Sequence, residues 1–341
     1  MRLVLVAGTT RTATVDGISA AGAAPDLVTH TPSADAEIVV YGEPVASPVV
    51  PVSPTGCPTP AAVTRAVVER LDLPVVVVDA GLAEPTAAPT VTVGASPGTD
   101  LRESLAVPDA SDVYEAGRDY GRSLPDDDPI LLGETVPGGT TTALGVLTAL
   151  GERATVSSSL PTNPIERKRA VVAEGLAASD LDAGAAAGDP IAAVGAMGDP
   201  VLAAGAGIAH GAIETGTPLT LAGGTQLLAL GALLRHAGVD APLSLATTSF
   251  LLGDDSAAVT DLAASLDVTV TATDPGFDAV SHPATAAFCD GEAKEGVGMG
   301  GALSLVADAD ASMASVRDRF LTLADRLLAI AEDDGSAPDV R

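Results

Sequence analysis

The 341 residues suffice for two domains, or for one large domain with a second lobe, and 47% of them are hydrophobic, so a real core is available. Aromatics make up only 2%, with no Trp, so that core must be Ala, Val and Leu with 36 glycines allowing close backbone approach, a composition suited to the doubly buried strands of an α/β sheet. Lys and Arg number 17 against 45 Asp and Glu, and a net charge of −28 excludes a general nucleic-acid binder, which needs a basic surface.

The acids are spread through an otherwise globular sequence. That is the pattern of a protein kept in solution at high salt, where screening makes self-repulsion tolerable, and it implies a halophilic cytoplasm. An anionic substrate then needs a locally neutral or positive pocket, which makes each basic residue informative. Cys57 and Cys289 form no CxxC, so neither a disulfide framework nor a zinc site is expected, and a reducing cytoplasmic location is the default.

The chain opens with MRLVLVAGTTRT, which reads as a first β-strand over 2–6 rather than a signal peptide. Residues 16–37 read as a long loop, with Asp35 and Glu37 just before the apolar IVVYG. Residues 44–60 hold six prolines and Cys57, which forbids regular structure. A helix over 61–70 feeds a central parallel strand over 75–78. Asp79 and Gly81 then lie at a strand C-terminal end, where ligands sit in open α/β sheets. A strand over 90–93, a turn-rich corner at Gly94, Pro97, Gly98 and Asp100, and a helix over 111–122 follow.

Residues 131–151, LLGETVPGGTTTALGVLTALG, carry the strongest signal. A strand ends at Gly133 and Glu134; Gly138 and Gly139 make a turn; Thr140, Thr141 and Thr142 open an apolar helix. The first turn of a helix leaves N–H groups pointing forward, so this is either an anion site with hydroxyl donors added or a threonine-capped turn. No Lys follows the glycines and no GxGxxG occurs, which excludes a P-loop and a dinucleotide fingerprint. After a polar loop at 157–163, Asn163 caps a helix over 165–176 with Pro164 at its first position. That helix bears Arg167, Lys168 and Arg169, the densest basic group in the chain, either surface charges or a reach toward a phosphate or carboxylate.

Further strands are expected over 191–194, 219–221, 243–246 and 268–273, with helices over 201–214, 227–237 and 256–266. The alternation implies a three-layer α/β fold: a mostly parallel sheet with helices on both faces, plus a small lobe from the N- and C-terminal segments. Glu134, Asp199, Gly223, Gly224, Thr247, Thr248 and Ser249 recur where strands end, which points to one shared crevice. The Ala/Gly-rich stretch 182–216 is broken by Asp189, Asp199, His210 and Glu214, so no membrane span is expected. A helix over 277–288 contains His282. In DGEAKEGVGMGGALSL four glycines follow Glu295, whose carboxylate backbone N–H groups can pin, unless the turn is merely exposed and acidic. A long helix over 313–332 and a frayed tail over 335–341 close the chain. The expected organisation is a loop-rich segment 1–60, a sheet core 61–290, a glycine-rich loop with C-terminal helix 291–334, and the tail. The histidines at 30, 210, 236 and 282 have no metal-like spacing, His236 reading as a helix C-terminal partner, and neither GxSxG nor HExxH occurs.

Four stretches, in order, carry a family resemblance. GETVPGGTTTALGVLTAL is similar to the GEMGIGNTTxAAA segment of nicotinate-nucleotide–dimethylbenzimidazole phosphoribosyltransferases. ERKRAVV resembles their ARKRAVV, GDPVLAAGAGIAHGA their GGPDIAALAGAILGA, and KEGVGMGGALSL their EGTGAALAL. The N-terminal stretches GISAAG, TPSADAE, VVVVDAGL and PGTD resemble an archaeal and cyanobacterial branch of that family. The resemblance implies transfer of 5-phosphoribosyl from nicotinate mononucleotide to a benzimidazole nitrogen in cobamide lower-ligand synthesis. It makes Glu295 the general base, Glu134 a ribose-hydroxyl acceptor, Lys168 a partner of the phosphate or nicotinate carboxylate, and Gly138, Gly139, Thr140 and Thr141 the phosphate cradle. It requires no cofactor or metal and implies a homodimer, with nicotinate mononucleotide and an aromatic base as partners. Three departures stand out: GNTT is GGTTT, ASHRSAEPG is replaced by ATTSFLLGDD so that its phosphate contacts would pass to Thr247, Thr248 or Ser249, and LTKPPGSLGRLE has no counterpart. The alternative within this fold is a non-catalytic protein that binds a nucleotide or cobamide precursor.

Overall fold

The computed structural model describes residues 1–19, 25–53, 55–94 and 96–334; the expected tail at 335–341 lies outside the described residues. Among the described residues there are seven strands: β1 (Arg2–Ala7), β2 (Val75–Asp79), β3 (Thr90–Thr92), β4 (Ile130–Thr135), β5 (Leu219–Ala222), β6 (Leu243–Thr248) and β7 (Val268–Thr273). The helices are α1 (Thr31–Tyr41), α2 (Ala61–Leu71), α3 (Ala110–Ser123), α4 (Gly139–Leu150), α5 (Ile165–Ala178), α6 (Pro190–Met197), α7 (Pro200–Thr215), α8 (Thr225–His236), α9 (Ser249–Leu252), α10 (Val259–Ser265), α11 (Pro283–Cys289), α12 (Met299–Ser304) and α13 (Met313–Asp334).

The strands form one all-parallel sheet in the order β3-β2-β1-β4-β5-β6-β7. From β1 the chain first winds one way, to β2 and β3, and then returns to the other side of β1 at β4. The strand order reverses between β1 and β4, so ligands are expected beyond the C-terminal ends of these two strands. The sheet is buried on both faces. Val4, Val6 and Leu132 point into a core with α3, α4, α6, α7 and α8. Leu3, Leu5 and Leu131 point the other way, into a core with α2, α12 and α13. Parallel strands covered twice need apolar residues at every position, hence the runs LVLVA and ILL.

With so few aromatics, close packing relies on glycine. Helices α3 and α7 lie backbone against backbone: a Cβ on Gly121 would fall 2.2 Å from the Ile208 carbonyl, and one on Gly211 2.0 Å from the Arg118 carbonyl. Helix α12 rests on the sheet in the same manner. A Cβ on Gly133 would be 2.8 Å from Cα of Gly298, and one on Gly301 2.3 Å from Cβ of Ala222.

Several elements differ from the sequence expectation. Residues 191–194 lie in helix α6, because Asp189 caps it (its side chain accepts from Ala192 N–H at 2.9 Å) and Pro190 starts it. An apolar run this short reads equally as strand or buried helix. Residues 31–37, expected as the end of a long loop, belong to α1, nearly all of it buried. Strand β2 is next to the edge strand, and the central position belongs to β4. The helix expected over 277–288 breaks into a 3₁₀ turn (Phe277–Ala279) and α11, because Pro283 opens a new helix capped by His282. Asn163 does not cap α5; its amide donates to the Val156 carbonyl at 2.7 Å.

The glycine contacts have opposite consequences at two positions. Gly121→Ala drives a Cβ into a carbonyl and should destabilise by about 1–3 kcal/mol. Gly231→Ala, in α8 with nothing nearer than 3.7 Å, should stabilise by about 0.5–1 kcal/mol. Urea denaturation at fixed salt checks both signs.

Candidate functional site

A crevice of about 1000 Å³, counted to its open mouth, lies beyond the C-terminal ends of β4 and β5, beside the point where the strand order reverses. Its floor begins at Glu134 and Thr135, the last residues of β4, and continues through Gly138 and Gly139 into α4. Gly138 has φ +78° and lies against the backbone of Ala13. A Cβ on Gly139 would fall 1.9 Å from Nε2 of Gln226, at the start of α8. Helices α4 and α8 both begin at glycines, Gly138 and Gly224, without a side-chain cap, and both first turns line the crevice. Their partial positive charges therefore converge there.

Two lysines back this region. Lys168 is fully buried, and its Nζ donates to Thr140 Oγ1 at 2.9 Å and to the Ser157 carbonyl at 2.7 Å. Both partners are neutral. Burial, followed by the nearby Lys294, presses its pKa down to about 7. Lys294 Nζ donates to the carbonyls of Ser158 and Leu160, each at 3.0 Å, and pairs with Asp254 at 3.3 Å. The serine loop 157–159, part of the lining, is thus stapled from both sides by ammonium groups.

Carboxyls line the crevice as well. Glu295 is half-buried: Oε1 accepts from the N–H groups of Gly300 (2.9 Å) and Gly296 (3.1 Å), and Oε2 from the Thr247 hydroxyl (3.1 Å). Desolvation lifts its pKa to about 7 against these donors. Glu134 accepts from Gln226 Nε2 at 3.2 Å; desolvation, then the charges of Asp199, Glu295 and Asp35, lifts it to about 8. Asp35 reaches in from α1 and accepts from Thr59 and Thr135, and desolvation raises it to about 6. The proline loop supplies an apolar wall with Val52, Cys57, Pro58 and Pro60.

Of the residues singled out from sequence, Glu134, Gly138, Gly139, Thr140, Gly224 and Glu295 line this one crevice, with Lys168 directly behind Thr140. Others sit elsewhere. Asp199 caps α7 and accepts from Thr142 at 2.5 Å beneath the loop, while Thr141 is fully buried. Asp79 makes a turn with the N–H groups of Gly81 and Leu82, and Gly81 packs on Ser96. Gly223 packs on Leu227. Thr247 lies behind Glu295; Thr248 caps α9, which starts at Ser249, and donates to the Lys294 carbonyl. Sequence reasoning missed Asp35, Gln226, Lys294 and the serine loop. Lys294 had a signal: it is one of 17 basic residues in an acidic chain and adjoins Glu295.

No protein-family model matches the chain. It is similar to a UPF0284 protein of Halobacterium salinarum, 60% identical over 324 residues, covering 95% of this chain and 97% of the relative. UPF0284 proteins of Methanosarcina mazei (40% over 304 residues, 88% and 87% covered) and Methanothermobacter thermautotrophicus (38% over 336, 96% and 93%) are also similar. Among solved structures, CobT from Thermus thermophilus superposes with TM-score 0.61 at 21% identity, covering 99% of this chain and 87% of that one. The nicotinate-nucleotide-dimethylbenzimidazole phosphoribosyltransferase of the same organism gives 0.61 at 22%, covering 98% and 85%. At such identities the likeness is one of fold, and it spans nearly the whole chain. No described helix is long and apolar enough to cross a membrane.

The raised Glu134 carboxyl has a measurable cost. Its folded pKa, about 8, exceeds the ordinary 4.5, so the stability it contributes is full below pH 4.5 and is lost as pH rises through 8. Glu134→Gln mimics the protonated form. It should melt like the unmodified protein at pH 5 and several degrees above it at pH 9, which thermal scans at constant salt will read.

Proposed function

The chain belongs to the UPF0284 family, and from that membership, its phosphoribosyltransferase fold and its crevice we propose that it is a phosphoribosyltransferase moving 5-phosphoribosyl from nicotinate mononucleotide to a benzimidazole-type base. One observation carries the reading. Glu295, fixed by two N–H groups and a hydroxyl, lines the same crevice as the glycine-threonine start of α4, which Lys168 backs.

In this reading the 5′-phosphate lies against the first turns of α4 and α8, with the Thr140 hydroxyl as a donor and Lys168 as the charge behind it. Glu134 accepts from a ribose hydroxyl when ionised and donates to it when protonated. The acceptor's ring nitrogen attacks C1′ from the face opposite nicotinate. The C1′–N bond breaks with its electron pair going to the departing pyridine ring. The acceptor's second nitrogen gives its proton to Glu295. Ribose becomes cation-like on the way, which nearby carboxylates favour, and anchoring the remote phosphate holds C1′ in line. A base with pKa about 7 is matched to neutral pH. The product is the nucleotide that supplies a cobamide lower ligand. A binding protein without catalysis would not need a carboxylate so poised beside the cradle.

Incubation in concentrated salt with nicotinate mononucleotide and a panel of benzimidazoles and adenine should release nicotinate and form a riboside phosphate. No release with any acceptor overturns the proposal. Glu295→Gln should lose about 10²–10⁴ in kcat. Lys168→Gln should raise KM for the nucleotide about tenfold or more. Because Glu295 must be ionised and Lys168 charged, with pKa values both about 7, kcat should rise through pH 7 while nucleotide KM rises above it.

A further inference from the structure

Asp35 is a buried titratable group that the transfer described above leaves unused. It is 3% exposed and lines the crevice. Oδ1 accepts from Thr59 Oγ1 at 2.6 Å, and Oδ2 from Thr135 Oγ1 at 2.7 Å. One hydroxyl comes from the proline loop and the other from the end of β4, so the carboxyl is held between two walls. Each oxygen keeps acceptor capacity beyond its threonine. A carboxylate buried in this way costs free energy unless something it faces supplies a further donor.

Its place in the crevice narrows what that donor belongs to. Thr59 precedes Pro60, whose ring lies 3.7 Å from where a Cβ would stand on Gly296, the residue after Glu295. Asp35, Thr59 and Pro60 are therefore on the flank of Glu295, with Val52 and Cys57 adding apolar surface suited to a flat ring. Thr140, Lys168 and Ser157 form a separate bonded group at the start of α4.

We propose that the proline-loop side of the crevice is the acceptor subsite, and that Asp35 selects a bicyclic base carrying an N–H or O–H donor on its ring edge. This rests on the transferase reading. A ring bearing only methyl groups gives the carboxylate no donor beyond its two threonines, whereas an amino or hydroxyl substituent pairs with it, and sites built around such a bond discriminate strongly against analogues that lack it.

The test compares kcat/KM for 5-aminobenzimidazole, 5-hydroxybenzimidazole and 5,6-dimethylbenzimidazole, with nicotinate mononucleotide saturating. The unmodified protein should prefer the first two by about tenfold or more. Asp35→Ala should bring all three within about threefold of one another while leaving KM for nicotinate mononucleotide unchanged. Asp35→Asn, closer in shape, serves if the alanine variant does not fold, and should weaken the same preference. Equal or better use of the dimethyl base by the unmodified protein overturns the inference. So does a variant that raises nucleotide KM with the preference intact, which assigns Asp35 to the ribose. Nicotinate release at equal rates from all three acceptors defeats this inference alone; no release from any acceptor defeats the transferase reading with it.

Discussion

A main-chain hydrogen bond, from the Val297 N–H to the Glu134 carbonyl at 2.9 Å, joins the glycine-rich loop to the end of the central strand. To reach it the loop adopts left-handed backbone at Gly291, Ala293, Gly296, Val297 and Gly298. For Ala293, and more so for β-branched Val297, that conformation costs about 1–2 kcal/mol each. It persists because the surroundings over-determine it. The Val297 carbonyl accepts from Thr64 at 2.9 Å, Ala293 N–H donates to the Ser159 carbonyl at 3.0 Å, and Glu292 accepts from Ser53 at 2.6 Å. Successive residues of one short segment grip the proline loop, the serine loop and β4, and Glu295 stands in their midst. Strain maintained in this way is a hallmark of functional loops.

The electrostatics of the crevice invert those of the exterior. Outside, the excess of acid is screened by salt. Inside, screening fails, and the crowded carboxyls keep their protons to higher pH: Asp35, Glu134 and Glu295 are all raised, as is Asp199 beneath the loop, with desolvation the leading cause. The same burial pushes Lys168 down, so acids and base converge on neutrality from opposite sides. The charge state of the crevice is thereby soft, and an arriving anion or cation can set it.

Legibility in the sequence followed the locality of the signal. The strand–glycine–helix unit around Glu134 and Thr140 is written in consecutive residues, and the turn chemistry of Gly138 is visible without knowing its neighbours. The parallel sheet was legible because doubly buried strands leave apolar runs. Helix α1 was not, because Ser33, Asp35 and Glu37 are buried within it for the sake of partners on distant loops, which erases the apolar stripe by which a helix is recognised. For the same reason Asp199 and Thr142 looked like ligand-binding groups: a buried cap and a buried hydroxyl satisfy each other there, and only the packing tells that from a site. Beyond the left-handed turns at Gly296 and Gly298, the role of the glycines after Glu295 lay in what they touch: β1 and β4 at Gly298, β6 at Gly300, β5 and β4 at Gly301.

The contact between Thr64 and Val297 spans 233 residues. On the ribosome, the strands β1 to β4, the glycine-threonine turn and Lys168 emerge well before the segment that completes the crevice. Glu295, the carboxylate proposed as the base, is therefore among the last groups delivered to the site. A partly made chain can bury much of its first core, yet it presents no complete pocket for the nucleotide proposed as substrate.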